Sequence, residues 1–100
     1  MYIKTEYGAF EWDDAKAEAN LRKHGIRFEE AIRIFTGQIY TRESEGNYEE
    51  IREISIGKVR DTLIAAVIHT RRGKAKRIIS ARPAKREERA EFAAFIAGRY

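Results

Sequence analysis

The chain has 100 residues, of which 20 are Lys or Arg, 16 are Asp or Glu, and none is Cys. This length favours a single domain over residues 1–100 and excludes a nucleotide-binding fold joined to a second domain. Without Cys, disulfides, thiolate nucleophiles and thiolate metal sites are excluded. Because no segment approaches the ~20 apolar residues of a membrane span and no apolar signal region opens the chain, we expect a cytoplasmic protein.

Two helices are predicted in the first third of the chain, after a short strand over residues 2–4. Asp13 is a suitable N-cap for a helix over residues 14–24. That helix opens with acidic residues and closes with cationic ones, as the helix dipole prefers, and Gly25 ends it. Apolar residues at helical spacing predict a second helix over residues 28–35.

The hydrophobic pattern then changes to the period of β-strands. Four strands rich in Ile, Val and Thr are predicted, over residues 39–42, 51–56, 62–70 and 76–81. Turns are predicted between them at Gly46-Asn47, Gly57-Lys58 and Arg72-Gly73-Lys74. Since these turns are short, neighbouring strands should pair antiparallel.

The strand over residues 62–70 has apolar residues on both faces and is therefore expected at the centre of the sheet. One face carries Leu63, Ala65 and Val67, and the other carries Ile64, Ala66 and Ile68. Pro83 is expected to begin a final helix. One stripe of that helix comprises Phe92, Phe95, Ile96 and Arg99. The element order predicts a small α+β fold with two N-terminal helices, an antiparallel sheet of about four strands and a C-terminal helix.

Charge is unevenly distributed along the chain. Residues 1–50 hold 7 Lys or Arg and 11 Asp or Glu, a net charge of −4, whereas residues 51–100 hold 13 and 5, a net charge of +8. Nine cations crowd one segment: Arg71, Arg72, Lys74, Lys76, Arg77, Arg82, Lys85, Arg86 and Arg89. This cluster favours a polyanionic partner, because clustered cations displace counterions from phosphates. The alternative is an ordinary solvated surface.

Metal binding is disfavoured, since His24 and His69 belong to different elements and no carboxylates stand near them at ligand spacing. We expect no cofactor, because the chain has neither a phosphate-cradling glycine loop nor a nucleophile elbow. His69 continues an apolar strand face, where a hydrogen-bonded core histidine is favoured over a catalyst. What remains is a metal-free acid–base site in which arginines bind phosphate.

Lys23-His24-Gly25 is the first candidate for proton transfer. A histidine at a helix C-terminus has its cationic form favoured by the dipole, which would prepare His24 to donate a proton or hold a phosphate. The competing interpretation is that Lys23 and His24 only cap the last carbonyl groups of the helix. The residues by themselves favour capping.

Three arginines are candidates for phosphate contacts. Arg52 alternates in phase with apolar residues of its strand, which places it near a strand end or on a sheet face. Strict two-residue alternation predicts that Arg77 and Arg82 lie on opposite faces of their strand. Arg82 precedes Pro83 and is expected at a strand–helix junction, a place that suits both functional sites and ordinary ion pairs.

Short motifs follow one another in a fixed order between residues 10 and 89. They are Phe10-Glu11-Trp12-Asp13, Lys16, Asn20, Lys23-His24-Gly25, Phe28-Glu29-Glu30-Ala31, Arg52, Ile56-Gly57, Thr70-Arg71-Arg72, Arg77-Ile78-Ile79-Ser80-Ala81-Arg82, Ala84, Glu88 and Arg89. Together they resemble the BrnT family of type II toxins, ribonucleases related in fold to RelE. Two departures are that Phe92 stands where the family commonly has Tyr, and that residues 1–9 precede the usual start without a motif.

The resemblance implies an endoribonuclease that cleaves mRNA, halts translation and is neutralised by a BrnA-like antitoxin. Antitoxins of this kind carry a ribbon-helix-helix domain, so operator DNA would be bound only through the antitoxin, and a toxin–antitoxin heterotetramer is expected. On this basis we assign phosphate and transition-state contacts to Arg52, Arg77 and Arg82, and the acid–base pair to Lys23 and His24, with Glu88 as a less favoured base. The cations assigned to RNA binding are Arg71, Arg72, Lys74, Lys76, Lys85, Arg86 and Arg89.

Two other functions also fit the sequence. One is a catalytically silent member that binds RNA or an antitoxin and acts in operon autorepression, which Phe92 supports because it removes a hydroxyl that could serve as an acid. The other is a protein-interaction domain whose basic segment meets an acidic partner. Salt-dependent RNA binding would argue against the second of these.

Overall fold

The computed structural model describes residues 1–44, 46 and 49–98. The helices are α1 (Asp14–His24), α2 (Phe28–Ala31) and α3 (Arg86–Ile96), and a 3₁₀ turn (Ile32–Thr36) directly follows α2. The strands are β1 (Tyr2–Thr5), β2 (Gly8–Glu11), β3 (Ile39–Glu43), β4 (Arg52–Arg60), β5 (Leu63–Arg72) and β6 (Ala75–Pro83). Within these residues, no helix combines the length and apolar character needed to cross a membrane.

The six strands form one sheet in the order β1-β2-β6-β5-β4-β3. The α+β class is confirmed, but the prediction of about four strands is wrong, because residues 2–11 form a hairpin that adds two strands beside β6. β2 pairs with β6 in parallel, so the sheet is mixed rather than wholly antiparallel. Strand β2 has only four residues and begins at Gly8, which leaves too little pattern for its recognition from sequence.

The turn predicted at Gly57-Lys58 is also wrong, since β4 continues through both residues to Arg60. Gly57 is required for a close approach and not for a turn. A Cβ atom at this position would lie 2.9 Å from the Cβ of Ile34 in the 3₁₀ turn. The turn predicted at residues 72–74 is confirmed, with Gly73 at a φ of 59° between β5 and β6.

The two faces of the sheet carry separate hydrophobic cores. We name them the α2 face and the α3 face after the helices that cover them. The α2-face core includes Phe10, Trp12, Phe28, Ile32, Ala65, Val67 and Ile78. The α3-face core consists of Ile54, Ile56, Ala66, Ala84 and Phe92. Strand β5 therefore contributes to both cores, which confirms the prediction that it is central and covered on both sides.

A β-bulge in β6 corrects the prediction that Arg77 and Arg82 lie on opposite faces. Ser80 pairs with Ile68, but Ile78 pairs with the next residue of β5, His69, so Ile79 is the extra residue. A bulge shifts the alternation of side chains by one position. As a result, Ile78 lies on the α2 face, and both arginines lie on the α3 face.

Helix α1 begins and ends where the sequence predicts. The Asp13 side chain accepts a hydrogen bond from the backbone N–H of Lys16, and Gly25 takes a left-handed conformation at the C-terminal end. The buried Asn20 side chain fastens this helix to the sheet. Its amide donates to the carbonyls of Ile26 and Ala81 and accepts from the N–H of Ala81. Asn20 thus satisfies the backbone N–H and C=O of Ala81, which a neighbouring strand would otherwise pair.

The other helices differ in detail from the prediction. The segment predicted as one helix over residues 28–35 is α-helical only to Ala31 and then tightens into the 3₁₀ turn. Pro83 is the last residue of β6 and does not begin α3, which starts at Arg86 after an N-cap at Lys85. A strand can end at proline because its missing N–H is not needed there.

The apolar stripe predicted on α3 is only partly buried. Phe92 lies in the α3-face core, whereas Phe95 and Ile96 are each 39% exposed. Arg99, the fourth member of the predicted stripe, and Asn47, half of the predicted turn at residues 46–47, lie outside the described residues.

Candidate active site

Arginines on the α3 face occupy three successive rows across the sheet. In the first row, Arg52 of β4 and Arg77 of β6 are both Cα partners of Thr70 in β5. Residues in register on neighbouring strands project from the same face. Because adjacent strands lie ~4.8 Å apart, the backbones of Arg52 and Arg77 are roughly 10 Å apart, within the combined reach of two arginine side chains.

The second row adds an arginine from β3. Arg42 is the partner of Ile54, which pairs with Ile68, and Ile68 pairs with Ser80. Arg82 lies two residues beyond Ser80 in β6, opposite Ala66, and forms the third row. We call the set Arg42, Arg52, Arg77 and Arg82 the arginine face. Three separate strands therefore bring four guanidinium groups to one side of the sheet. Two of them, those of Arg42 and Arg82, lie beside Glu88 in the first turn of α3.

Carboxylates orient two of these arginines. The Arg77 Nη1 donates to Glu11 Oε2 at 2.7 Å. The Arg82 Nη1 and Nη2 donate to the two carboxylate oxygens of Glu88 at 2.7 and 2.9 Å. The second pair is bidentate, the geometry in which an arginine–carboxylate interaction is strongest. Both guanidinium groups are thereby held in fixed directions.

Glu88 is almost fully buried, with 2% of its surface exposed. Its Oε1 also accepts the backbone N–H of Lys85, as in a capping box at the start of α3. The hydrogen bonds from Arg82 lower the pKa of Glu88 to about 2, with smaller contributions from the Lys85 N–H and the Arg42 charge. A carboxylate with this pKa is a very weak base. The geometry therefore suits Glu88 for positioning Arg82 and not for accepting a proton.

His24 lies at the C-terminal end of α1, next to the arginine at the end of β6. Burial lowers the pKa of His24, and the charges of Lys23 and Arg82 lower it further. The expectation that the helix dipole favours cationic His24 is therefore wrong, because two cations and burial outweigh the dipole. A neutral imidazole can accept a proton. Lys23, the preceding residue, is exposed. The backbone N–H of Gly25 caps the helix by donating to the Leu21 carbonyl at 2.8 Å.

His69 is a structural histidine, as the sequence favoured. It is 1% exposed, and its Nε2 lies 2.8 Å from the Ser55 Oγ, which in turn lies 2.8 Å from the Thr41 Oγ1. Burial lowers the pKa of His69 to about 4, with added effects from the Lys76 and Arg71 charges. This hydrogen-bonded chain crosses three strands on the α2 face, away from the arginine face.

The cations predicted to bind RNA fall into three groups. The β5–β6 hairpin presents Arg72 and Lys74 beside the first arginine row. The start of α3 carries Lys85, Arg86 and Arg89, and the Arg89 Nη1 donates to the Ala84 carbonyl at 2.7 Å. Arg71 and Lys76 are partners on the α2 face, where the Lys76 Nζ lies 5.2 Å from the centroid of the Phe35 ring.

Among the described residues, no three His, Cys, Asp or Glu side chains come together in a group that could hold a metal ion. Positive charge in this part of the molecule is supplied instead by the guanidinium groups of the arginine face. Such groups act on anions without a change in protonation state, because arginine stays protonated in proteins.

Comparison with known proteins identifies the family. A family model described as the ribonuclease toxin BrnT of type II toxin–antitoxin systems matches residues 12–88. The chain belongs to the BrnT family. Its structure is similar to the crystal structure of the Brucella abortus ribonuclease toxin BrnT, with 26% sequence identity and a TM-score of 0.58. This match covers 77% of the present chain and 96% of the Brucella chain. No curated protein matches the chain significantly.

The resemblance to BrnT toxins drawn from the motifs is therefore confirmed, and all four members of the arginine face lie within the matched residues. A ribonuclease toxin of a type II system implies an RNA substrate and an antitoxin partner. Phe92, the departure from the usual Tyr, packs in the α3-face core and is 9% exposed. A side chain buried there supports the sheet beneath α3.

Two residues of the candidate site, Arg42 and Glu11, were not among the predicted site residues. Arg42 was not singled out, because only the pairing of β3 with β4 brings it to the α3 face. Glu11 was recognised as part of a motif but not as the partner of Arg77, a contact that depends on the parallel β2–β6 pair. The available signal in the sequence was that Arg42 follows Tyr40 by two residues, which places both side chains on the same face of β3.

Proposed function

We propose that the chain is the toxin of a type II toxin–antitoxin pair and acts as a metal-independent endoribonuclease that cleaves mRNA and so inhibits translation. The observation that carries the proposal is the arginine face, where Arg42, Arg52, Arg77 and Arg82 lie on one side of the sheet. Planar guanidinium groups match phosphate oxygens in bidentate geometry. The family to which the chain belongs supports RNA as the substrate.

Cleavage without a metal requires a base, an acid and a group that offsets negative charge. In the proposed reaction, His24 takes the proton of a ribose 2′-hydroxyl, and the 2′-oxygen attacks the adjacent phosphorus. Arg52, Arg77 and Arg82 stabilise the charge that develops on the phosphorane. Lys23 gives a proton to the departing 5′-oxygen. The products are a 2′,3′-cyclic phosphate and a 5′-hydroxyl.

The titration of His24 supports its role as the base. Its lowered pKa leaves the imidazole neutral at pH 7 and able to accept a proton. Activity should therefore fall as the pH drops below this pKa, which lies under the ordinary value of 6.5. Glu88 is proposed as a positioning residue, because its carboxylate is committed to Arg82 by two hydrogen bonds.

The remaining cations suggest how RNA approaches the arginine face. Arg72 and Lys74 of the β5–β6 hairpin would contact backbone phosphates on one side of it, and Lys85, Arg86 and Arg89 of α3 would contact them on the other. Arg71 and Lys76 face the α2 side and would contribute long-range attraction instead of direct contacts.

The proposed partner is a BrnA-like antitoxin with a ribbon-helix-helix DNA-binding domain. Operator DNA would then be reached only through the antitoxin, in a toxin–antitoxin heterotetramer. Cleavage of mRNA requires that the protein act in the cytoplasm.

Expression without an antitoxin tests the proposal in cells. Wild type should arrest growth, whereas Arg52→Ala and His24→Ala should not. General acid–base catalysis contributes roughly 10²–10⁴-fold, so His24→Ala should slow cleavage by that factor. The matched control is Arg33→Ala, which removes an exposed arginine from the 3₁₀ turn. Circular dichroism should show that all variants are folded. Undiminished arrest in both site variants would contradict the assignment.

Incubation of the purified protein with mRNA in excess EDTA separates the enzyme from the alternatives. Cleavage under these conditions supports a metal-independent ribonuclease. Salt-dependent retention of RNA without cleavage would instead indicate a binding module that acts in operon autorepression. An absence of RNA binding at low salt would favour a protein-interaction domain.

A further inference from the structure

Arg42 is the member of the arginine face that lies on β3. It lies opposite Ile54, and its side chain is 35% exposed. Its Nη2 lies 3.7 Å from the Glu88 Oε2, a distance that allows electrostatic attraction but exceeds that of a hydrogen bond.

The Nε–H group of Arg42 is buried and, among the described residues, finds no hydrogen-bond acceptor. A buried donor of a charged group normally has a partner, because leaving it without one costs free energy. An unmet donor in a native structure therefore calls for an explanation. A bound anion would provide the missing acceptor.

The neighbouring carboxylate of Glu88 hydrogen-bonds Arg82 but not Arg42. Glu88 already accepts two hydrogen bonds from Arg82 and one from the Lys85 N–H, at distances of 2.7 to 2.9 Å. The single negative charge of Glu88 lies between two guanidinium groups, so Arg42, Arg82 and Glu88 together carry one positive charge, and Glu87 also acts on Arg82. Excess positive charge on a partly buried sheet face attracts an anion.

We propose that Arg42 forms a phosphate subsite, which binds a backbone phosphate of RNA next to the scissile phosphate contacted by Arg52, Arg77 and Arg82. When the partly exposed Arg42 side chain turns toward bound RNA, its Nε–H and one Nη–H would donate to two phosphate oxygens, while Glu88 holds the guanidinium of Arg82 in place. Arg42 lies opposite Ile54, which is two residues along β4 from Arg52, a step of roughly 7 Å. This inference rests on the proposed ribonuclease function, because that function supplies the phosphodiester strand.

A purely structural role for Arg42 predicts something different. If Arg42 served only to balance the charge of Glu88, its replacement would change stability and would leave anion binding unaltered. The number of phosphates that the protein contacts separates the two roles. For single-stranded nucleic acid, the slope of log K against log[salt] changes by about 0.7 for each phosphate contact.

The first experiment measures binding of a 2′-deoxy-substituted, non-cleavable RNA oligonucleotide in EDTA at several salt concentrations. Arg42→Gln should weaken binding about tenfold at low salt and reduce the salt slope by about 0.7. The control Arg33→Gln removes an exposed arginine of the 3₁₀ turn, outside the arginine face, and should leave the slope unchanged. Equal slopes for wild type and Arg42→Gln, with equal affinities, would overturn the subsite.

A second measurement uses the unaltered protein and inorganic phosphate as the probe. In ¹⁵N–¹H spectra of arginine side chains, the Nε–H resonance of Arg42 should shift progressively as phosphate is added, and that of Arg33 should not. Arg42→Gln assigns the resonance, and Arg42→Lys, which keeps the charge but lacks the Nε–H, assigns it if the glutamine variant does not fold. An unmoved Arg42 resonance at saturating phosphate would refute the proposal.

These measurements are independent of the ribonuclease assignment. Wild type that binds RNA but leaves cleavable RNA intact in EDTA would remove the proposed function, and the salt slopes would still report on Arg42. Conversely, a wild type that cleaves RNA, together with an Arg42→Gln variant of unchanged salt slope, would retain the enzyme and reject the subsite.

Discussion

Replacement of Glu88 by Gln tests the buried ion pair on which the orientation of Arg82 depends. The variant keeps the size of the side chain and an oxygen that can accept the Lys85 N–H, so it removes mainly the charge. The hydrogen bonds from Arg82 lower the pKa of Glu88 from 4.5 to about 2. At 1.36 kcal/mol per pKa unit, this shift corresponds to about 3 kcal/mol of stability at pH 7.

The sign of the pH dependence follows from the direction of the shift. A carboxyl group whose pKa is depressed by folding contributes stability that is complete above its unfolded pKa, here 4.5, and is lost as the pH falls toward 2. The difference in free energy of unfolding between wild type and Glu88→Gln should therefore shrink by about 2 kcal/mol between pH 7 and pH 3. Urea denaturation at pH 7, 5 and 3 measures this difference.

The matched control is Glu30→Gln. Glu30 also makes a two-bond ion pair, with Arg60, but the Arg60 side chain is 52% exposed. Exposed ion pairs contribute at most about 1 kcal/mol, so this variant should be nearly as stable as wild type. The reasoning is refuted if Glu88→Gln costs no more than Glu30→Gln at pH 7, or if its cost is the same at pH 3.

Three further predictions concern the fold. Asn20→Ala should lower the free energy of unfolding by about 3 kcal/mol, because three buried hydrogen bonds are lost; a loss below about 1 kcal/mol would show that the edge of β6 is satisfied otherwise. Gly57→Ala should lower the free energy of unfolding by about 1–3 kcal/mol, since its new Cβ would lie 2.9 Å from a side chain of the 3₁₀ turn. The control Gly37→Ala, with open space around it, should change the free energy of unfolding by less than about 0.5 kcal/mol. Burial lowers the pKa of His69 to about 4, so the stability from its neutral form is complete above pH 6.5 and declines as the pH falls toward 4. An NMR titration midpoint of His69 at or above 6.5 would contradict this burial.

Local sequence signals were sufficient for the elements that are long or well capped. Helix α1 is bounded by Asp13 and Gly25 as predicted, because capping depends only on neighbouring residues. The two apolar faces of β5 identified it as central before any pairing was known. The family motifs named the correct family, since several short motifs in a fixed order are more specific than any single one.

The errors arose where tertiary context decides the outcome. Glycine is typical of turns, but Gly57 lies within β4, where the absence of a side chain lets the 3₁₀ turn pack closely against the strand. Local sequence does not encode this contact. The alternation rule failed in β6 because a bulge at Ile79 adds a residue to one strand only. That one bulge determines whether Arg77 and Arg82 share a face, and hence whether all four arginines lie on the same side of the sheet.

Arg42 shows why a site is harder to predict than a fold. Its contribution depends on two strand pairings and on its own contact with Glu88 on the α3 face. Each of these is a long-range contact, and none follows from the residues adjacent to Arg42. The nine-cation segment indicated the right chemistry, but part of it, including Lys76, lies on the opposite face of the sheet.

The chemical ends of the RNA fragments test the central claim most directly. The protein should be incubated in excess EDTA with a defined RNA oligonucleotide, and the products analysed by mass spectrometry. Attack by a 2′-hydroxyl, stabilised by the arginine face, predicts a 2′,3′-cyclic phosphate on one fragment and a 5′-hydroxyl on the other. Fragments that carry a 3′-hydroxyl and a 5′-phosphate, or cleavage that appears only when a divalent metal is restored, would contradict the account.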